Sequence, residues 1–265
     1  MRAAAETGGA TGYLDTPQGR LRWAARGRAD APPLLVLHGM GDSLGGWAQA
    51  ALPLLLRFRV HLIDLPGHGL SGAPPDWRLD TLVEAVRGYA RSLHRPLVVG
   101  HSLGGWLAVR LLRGGAAPLD ASGLVLVNPA GMLPPRAAWD PFLALVQADD
   151  ARGARAYLRH AFHTPPLALR MFPGEVVSAM KAESTRGFLA GLRDGDFLAP
   201  EELSALRLPL RLVWGESDRL LPAGTLEFFR RHLPPHDFVP IARSGHMPHL
   251  EAPLRLARAI AARLW

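Results

Sequence analysis

Ser102 stands where a hydroxyl group could act as a nucleophile. It lies midway between Gly100 and Gly104, follows the β-branched run of residues 97–99 and precedes the apolar helical pattern of residues 103–113. A serine in such a tight strand-to-helix turn projects its hydroxyl away from the backbone, and the glycines remove Cβ atoms that would clash there. The N-terminus of the following helix directs free N–H groups and its positive dipole end toward the reacting centre. The pattern therefore predicts that Ser102 is the nucleophile of an acyl-transfer reaction.

A serine hydroxyl needs a general base, and the base needs a group that orients it. Two strand-like runs in the C-terminal part of the chain end in polar loops. The run at residues 210–214 is followed by Asp218, and the run at residues 236–241 is followed by His246. Because the loops that follow parallel strands gather at one edge of a sheet, we expect Asp218 and His246 to converge on Ser102.

Four other polar residues compete for these roles. Glu216 shares the loop of Asp218 but lies nearer the strand end, and we interpret it as a solvated carboxylate. Asn128 occupies the other strand end at which such a fold can carry its acid, but an amide stabilises an imidazolium less well than a carboxylate does. His249 is assigned to the start of the final helix. His101 adjoins the nucleophile and is expected to be packed or hydrogen-bonded, because neighbours on a strand point to opposite faces.

An oxyanion hole is predicted after an earlier strand. The apolar run at residues 34–37 enters a loop in which Gly39 and Gly41 flank Met40. Acyl transfer needs two donors directed at the developing oxyanion, and backbone N–H groups supply them without side-chain entropy. We expect these donors to be the N–H groups of Met40 and Leu103, since the flanking glycines allow close approach of the backbone.

Together these residues resemble the α/β-hydrolase family, and in particular its bacterial serine carboxylesterase and lipase-like group. The resemblance spans residues 13–265 and includes the segment at 58–71, in which Asp64 and His68 of such proteins are architectural. It implies the same nucleophile, acid, base and oxyanion donors as the residue patterns do. Family members with an aspartate nucleophile are disfavoured, because this turn carries Ser102.

The order of the predicted elements indicates the fold class. Strand-like runs alternate with helical patterns, which predicts an eight-stranded, mostly parallel sheet with helices on both faces. A turn at residues 17–19 joins the first two strands into an antiparallel hairpin at the edge of the sheet. The resemblance places these features in an α/β-hydrolase core made of residues 1–131 and 207–265.

Residues 132–206 break the alternation, since they contain no convincing strand. A structureless loop of that length is improbable in a compact domain, so we predict a helical cap over the C-terminal edge of the sheet. We expect about a third of its apolar side chains to reach the substrate. The residues considered as the lining of an acyl pocket are Phe142, Leu143, Val146, Tyr157, Phe162, Met171, Phe172, Phe188 and Leu192. The substrate-binding residues selected are Phe142, Phe162, Phe188 and, beside the predicted base, Met247.

Composition excludes several classes of site and partner. The chain has 265 residues, 48% of them hydrophobic, and no cysteine, so it has neither disulfides nor a thiol nucleophile. No histidine or carboxylate pair shows ligand spacing, and we expect no metal and no cofactor. The net charge is +7, but the arginines are dispersed and no basic run is interleaved with aromatic residues, which argues against nucleic-acid binding. Arg152, Arg155 and Arg159 recur at helical spacing and are read as a solvated face.

The terminal segment and the hydropathy pattern predict where the protein works. The first dozen residues do not resemble a signal peptide, and no apolar run approaches the ~20 residues of a membrane helix. We therefore expect a cytoplasmic protein without stable membrane insertion, either a monomer or a homodimer. Its expected partner is a small-molecule ester.

The predicted function is serine-dependent hydrolysis of uncharged, short- to medium-chain carboxylic esters through an acyl-enzyme. The alternatives on the same fold are carbon–carbon bond hydrolysis, peracid formation, and lactone or amide cleavage. A non-catalytic ligand-binding protein on this scaffold is a more remote alternative, because binding alone does not require Ser102, Asp218 and His246 together.

Overall fold

The computed structural model describes residues 9–113 and 118–263. The prediction about a signal peptide falls mainly on residues 1–8, which lie outside the described residues. One eight-stranded sheet organises the rest. Its strands are β1 (Ala10–Thr16), β2 (Gly19–Arg26), β3 (Pro33–Leu37), β4 (Arg59–Ile63), β5 (Leu97–His101), β6 (Gly123–Val127), β7 (Leu210–Gly215) and β8 (Asp237–Ile241).

The strands are arranged in the order β1-β2-β4-β3-β5-β6-β7-β8. Strand β2 pairs antiparallel with β1 and β4, and every later pairing is parallel. The predicted sheet, with its antiparallel hairpin at one edge, is therefore confirmed. From β3 and β5, which are neighbours, the chain proceeds toward opposite edges of the sheet. Such a reversal opens a crevice at the carboxyl ends of the strands, where ligands bind in open α/β sheets.

Helices connect the strands and cover both faces of the sheet. They are α1 (Ala48–Ala51), α2 (Leu79–Ala90), α3 (Leu103–Arg113), α4 (Arg136–Val146), α5 (Ala151–Ala161), α6 (Leu167–Met171), α7 (Gly174–Lys181), α8 (Glu183–Gly191), α9 (Pro200–Ser204), α10 (Thr225–His232), α11 (Pro248–Glu251) and α12 (Pro253–Ala261). Two short 3-10 helices span Leu52–Leu56 and Asp194–Asp196.

Alternation along the strands divides the core into two layers. Leu35 and Leu37 of β3 belong to the apolar cluster that contains α2 and α3. Leu34 and Val36, one position earlier in each case, belong to the cluster that contains α1 and α12. Successive side chains of a strand point to opposite faces, and a parallel sheet buried on both faces needs apolar residues on both. The helices on either side hold the loops that follow the strands in a fixed arrangement.

Six helices, α4 to α9, occupy the interval between β6 and β7 that the sequence assigns to the cap. Part of this interval has its own apolar cluster, which includes Val146, Leu158 and Phe162. Its C-terminal part is different, because Phe188 and Leu203 belong to the main core together with α3. The segment therefore has an apolar cluster of its own and packs into the main core at its C-terminal end, and its role as a cap stays a prediction.

Within the described residues, each helix is too short or too polar to cross a lipid bilayer. The cytoplasmic location and the monomeric or homodimeric state stay predictions from the sequence.

Candidate active site

Ser102 is the single residue between β5 and α3, and the turn leaves it no relaxed backbone conformation. Its φ of 52° lies in the left-handed region, which is unfavourable for a residue with a side chain. A Cβ atom at Gly100 would lie 2.5 Å from the carbonyl oxygen of Gly104, and one at Gly104 would collide with the Leu37 carbonyl. The two glycines are therefore required for α3 to start so close to the sheet.

Asp218 and His246 meet as a buried carboxylate–imidazole pair. His246 Nδ1 lies 2.8 Å from Asp218 Oδ2, and the two side chains are 2% and 0% exposed. Asp218 Oδ1 accepts hydrogen bonds from the backbone N–H groups of Leu220 and Leu221. An ionised carboxylate only accepts hydrogen bonds, so the imidazole proton is on Nδ1. In the neutral imidazole the other ring nitrogen, Nε2, then carries a lone pair, as a general base requires.

Asn128 has a function in this site that sequence reasoning missed. Its Nδ2 group donates to Asp218 Oδ2 at 2.7 Å, and its Oδ1 atom accepts from the backbone N–H of Gly215 at 3.1 Å. The residue has a positive φ of 41° and is fully buried. From the sequence, Asn128 is a rival candidate for the acid. In the structure it instead donates a hydrogen bond to Asp218. Glu216, the other rival, is exposed.

Ser102 and His246 line one cavity together with Met40 and Leu103. The strand that precedes the serine also contacts the histidine, because His101 Nε2 donates to the backbone carbonyl of His246 at 2.8 Å. His101 is fully buried, and burial is the main reason that its pKa lies well below the ordinary value. The packed, hydrogen-bonded state expected for His101 is thus what its contacts show.

The loop after β3 places Met40 beside the nucleophile. A Cβ atom at Gly39 would lie 3.1 Å from the Cβ atom of Ser102, so the backbone approaches as closely as glycine allows. In the described part of the chain, neither Met40 N–H nor Leu103 N–H is bound by a protein acceptor. Two free backbone donors in a site of this kind suit an oxyanion.

Buried polar side chains stabilise the loop after β3 through hydrogen bonds. His38 accepts from the backbone N–H of Leu65 through Nε2 at 3.0 Å, so its Nδ1 carries the proton and donates to the Gly39 carbonyl at 2.7 Å. Asp64 accepts from the backbone N–H groups of Leu44 and Leu70. These contacts connect the loops after β3 and β4, in keeping with the architectural role expected of Asp64.

The cavity has a volume of about 370 Å³ and a mostly apolar lining. Phe142, Phe162, Phe188 and Met247, the residues selected from the sequence, all line it. Leu143, another candidate from the sequence, does not line it and packs against the apolar cluster of this segment instead. Met171 and Phe172, which the sequence also offers, do not line it either, and they are 61% and 67% exposed. They lie on and just after α6, a five-residue helix with no buried residue, so the apolar character of this segment does not indicate which way it faces.

The C-terminal end of α5 is attached to both loops that carry the acid and the base. Ala161 O accepts from His246 N–H at 2.6 Å, and His160 O accepts from Arg219 N–H at 3.1 Å. The Glu251 carboxylate accepts from backbone N–H groups just before His246 and just after α5. The end of α5 is therefore fixed to the loops of Asp218 and His246.

One group of potential metal ligands occurs among the described residues. Atoms of Asp42, His101 and His249 lie within 4.8 Å of one another. Asp42 Oδ2 lies 3.2 Å from His249 Nε2, and His101 donates through Nε2 to the His246 carbonyl. The sequence shows no ligand spacing for this group, because its three members come from separate segments that only the fold brings together.

The chain matches the alpha/beta hydrolase family over residues 34–259. A pimeloyl-[acyl-carrier protein] methyl ester esterase of Nitrosomonas europaea is 32% identical over 240 residues, which cover 84% of this chain and 92% of that protein. A bacterial membrane phospholipase A of known structure has a TM-score of 0.82 at 25% identity, with 95% of this chain and 84% of that chain covered. The carboxylesterase CesB of Bacillus subtilis shares the fold, with a TM-score of 0.77 at 22% identity and coverage of 98% and 94%.

Proposed function

The chain belongs to the alpha/beta hydrolase family, and we propose that it hydrolyses carboxylic esters through an acyl-enzyme formed on Ser102. Ester hydrolysis agrees with the name of its relative from Nitrosomonas europaea. The observation that carries the assignment of residues is the buried Asp218–His246 pair, whose histidine lines a cavity together with Ser102.

In the first half of the reaction, Ser102 Oγ attacks the ester carbonyl carbon while His246 Nε2 takes the hydroxyl proton. The negative charge that develops on the carbonyl oxygen is stabilised by the N–H groups of Met40 and Leu103. Asp218 stabilises the resulting imidazolium and keeps its orientation. When the tetrahedral intermediate collapses, His246 gives the proton to the departing alcohol, and the acyl group stays on Ser102.

In the second half, water replaces the alcohol. His246 takes a proton from the water molecule as it attacks the acyl carbon, and the same N–H groups stabilise the second tetrahedral intermediate. Its collapse breaks the bond to Ser102, which recovers its proton from His246. The products of one turnover are the alcohol and the carboxylic acid, with one water consumed.

The lining of the cavity supports an uncharged acyl group. Among the described residues that line it there is no lysine or arginine, and its carboxylates are Asp42 and Glu175. An anionic acyl chain would therefore meet no cation and two negative groups. The cavity volume of about 370 Å³ is at the small end of the range for ligand pockets, in keeping with short- to medium-chain esters.

A second candidate substrate is an ester presented on a carrier protein. The relative from Nitrosomonas europaea is named for such an ester. In this chain Tyr157 and Leu158 of α5 line the cavity, while Arg152, Arg155 and Arg159 on the same helix are exposed. A basic surface next to a substrate cavity suits a carrier with an acidic surface.

The test is turnover of p-nitrophenyl esters from acetate to laurate, with the methyl ester of an acyl carrier protein assayed in parallel. We expect Ser102→Ala to lower kcat by more than about 10³-fold, because no other hydroxyl takes its place. The matched control is Ser178→Ala, which removes an exposed hydroxyl on α7 and should leave turnover unchanged. Retention of activity in folded Ser102→Ala would contradict the proposed function.

A further inference from the structure

Four buried or half-buried side chains lie together beside the reactive groups, and the proposed reaction uses none of them as a nucleophile, acid or base. Asp42, His101 and His249 of this cluster also form part of the cavity wall. Asp42 and Trp47 belong to the loop after β3, His101 ends β5, and His249 lies in α11. Trp47 stacks flat on His249, with ring centroids 4.9 Å apart and an interplanar angle of 1°. The rings of His101 and His249 are 4.8 Å apart. The cluster thus joins three segments that carry, respectively, Met40, Ser102 and His246.

Some buried polar atoms of this cluster have a hydrogen-bond partner among the described residues and others have none. His101 Nε2 donates to a carbonyl, which leaves its Nδ1 as a lone pair without a protein partner. Asp42 Oδ1 accepts from the backbone N–H of Ser43 at 2.7 Å. Asp42 Oδ2 is buried and lies 3.2 Å from His249 Nε2, a close contact whose angles are not those of a well-aligned hydrogen bond. A buried acceptor is costly to leave without a donor, and His249 Nε2 is the potential donor that lies beside Asp42 Oδ2.

We propose that Asp42 and His249 form a second carboxylate–imidazole pair, which positions the oxyanion loop against the loop that carries His246. Both are positioning residues, and the proposal rests on the proposed function. Burial alone would raise the pKa of the Asp42 carboxyl, but the contact with His249 outweighs it and the pKa is lowered. The carboxylate is therefore charged, and its attraction to the imidazole spans the two loops.

Asp42 and His249 lie close in sequence to groups of the proposed reaction, so their contact affects how those groups are positioned. Asp42 is two residues from Met40, whose N–H faces the developing oxyanion, and His249 is three residues from His246. The oxyanion donor and the general base act on the same tetrahedral centre, so their separation must be kept within a fraction of an ångström. A misplacement of about 1 Å lowers turnover by about 10²-fold. Substrate affinity comes from the apolar cavity and does not depend on this separation.

The test compares four variants in the p-nitrophenyl ester assay. Asp42→Asn removes the charge, His249→Leu removes the ring nitrogens, His249→Gln retains an N–H donor, and Asp42→Asn/His249→Leu combines the first two. Each of the first two is expected to lower kcat by about 10- to 100-fold with little change in KM. Because residues in contact act as a unit, the double variant should be no worse than either single one. His249→Gln should recover most of the loss, which a purely structural role for the ring would not predict.

His94→Gln, a change at an exposed histidine, is the matched control and should keep wild-type kcat. Thermal melting checks each fold, and if His249→Leu fails to fold, Asp42→Asn and His249→Gln decide. Any of three results would overturn the proposal. They are an unchanged kcat in folded Asp42→Asn, additive losses of kcat in the double variant, and a raised KM with unchanged kcat in the single variants. So would loss of turnover in EDTA with rescue by zinc, which would mean that a metal joins the pair. Activity in Ser102→Ala would instead refute the proposed function.

Discussion

At the level of single residues, the orientation of the His246 imidazole depends on how many hydrogen bonds the Asp218 carboxylate accepts. Its two oxygens accept from His246, Asn128 and two backbone N–H groups. Such saturation leaves the carboxylate one orientation, and with it the imidazole. An amide in its place would offer one acceptor oxygen and one donor nitrogen, so it could not receive all four donors.

Asp218→Asn is therefore expected to fold and bind ester while kcat falls steeply. The imidazole would lose both its charge partner and the control of its tautomer. The analogous change in a serine protease lowers kcat by about 10⁴-fold, and a loss of that order is expected here. The measurement is kcat on a p-nitrophenyl ester together with thermal melting. Glu216→Gln is the matched control, since it removes an exposed carboxylate from the same loop. Harmless Asp218→Asn with a damaging Glu216→Gln would mean that the wrong carboxylate was selected.

At the level of secondary-structure elements, the proposed cap has one part that is hydrogen-bonded to the loops of Asp218 and His246, and other described parts that are not. The end of α5 is hydrogen-bonded to the loops of the acid and the base, and the backbone of Phe162 packs against Gly245, the residue before His246. Because the Phe162 side chain is also buried, its truncation would leave a cavity next to this contact and would disturb the chemistry as well as the pocket. Phe142 on α4 is a cleaner probe of specificity, because it is half-buried and stacks on Trp139 at the cavity wall.

Phe142→Ala should shift the preference toward longer acyl chains. The lost ring leaves space for several methylene groups, each worth about 0.8 kcal/mol when buried, or about fourfold in kcat/KM per carbon. Turnover of acetate should fall only modestly, because the triad and the oxyanion donors lie on the sheet. The measurement is kcat/KM across the p-nitrophenyl series. Phe172→Ala, which removes an exposed aromatic ring outside the cavity, should leave the series unchanged. An unaltered profile in Phe142→Ala, or loss of acetate turnover, would contradict the assignment.

At the scale of the whole molecule, two buried histidines link stability to pH. Burial lowers the pKa of His61 and of His68 to about 4, against about 6.5 in an unfolded chain. Above pH 6.5 both states are neutral at these positions. As the pH falls toward 4, the unfolded state gains protons that the folded state cannot take up, so the free energy of unfolding decreases.

The contribution of His68 can be isolated by His68→Asn, whose amide can still donate to the Pro66 carbonyl that His68 Nδ1 contacts at 3.0 Å. The fall in unfolding free energy between pH 7.5 and pH 4.5 should be smaller in the variant by about 2–3 kcal/mol. Urea denaturation at the two pH values measures it, and any cavity effect cancels because it is present at both. His94→Asn, at an exposed position, should leave the difference unchanged. Equal falls in wild type and His68→Asn would refute the account.

The strands and their order along the chain follow from the amino-acid pattern alone. Each strand was recognisable because a β-branched or apolar run is a local property, and each predicted strand overlaps an observed one. The turn at Ser102 is marked in the sequence by glycine at positions 100 and 104, although the collision that excludes a Cβ atom at Gly104 is with the distant Leu37 carbonyl and exists only in the folded chain. The alternation of strands and helices then dictated a parallel sheet, which gathers the loops at one edge.

The contacts by which residues far apart in sequence complete the site could be seen only in the folded chain. Asn128 donates to Asp218 across 90 positions, the end of α5 is bound to the loop of His246, and Asp42 meets His249. The direction of Met171 and Phe172, which face solvent, was likewise undetermined. The physical reason is that composition and periodicity report whether a side chain prefers burial. Which distant partner satisfies a buried polar atom depends on the packing of whole layers, and that packing is a property of the folded chain.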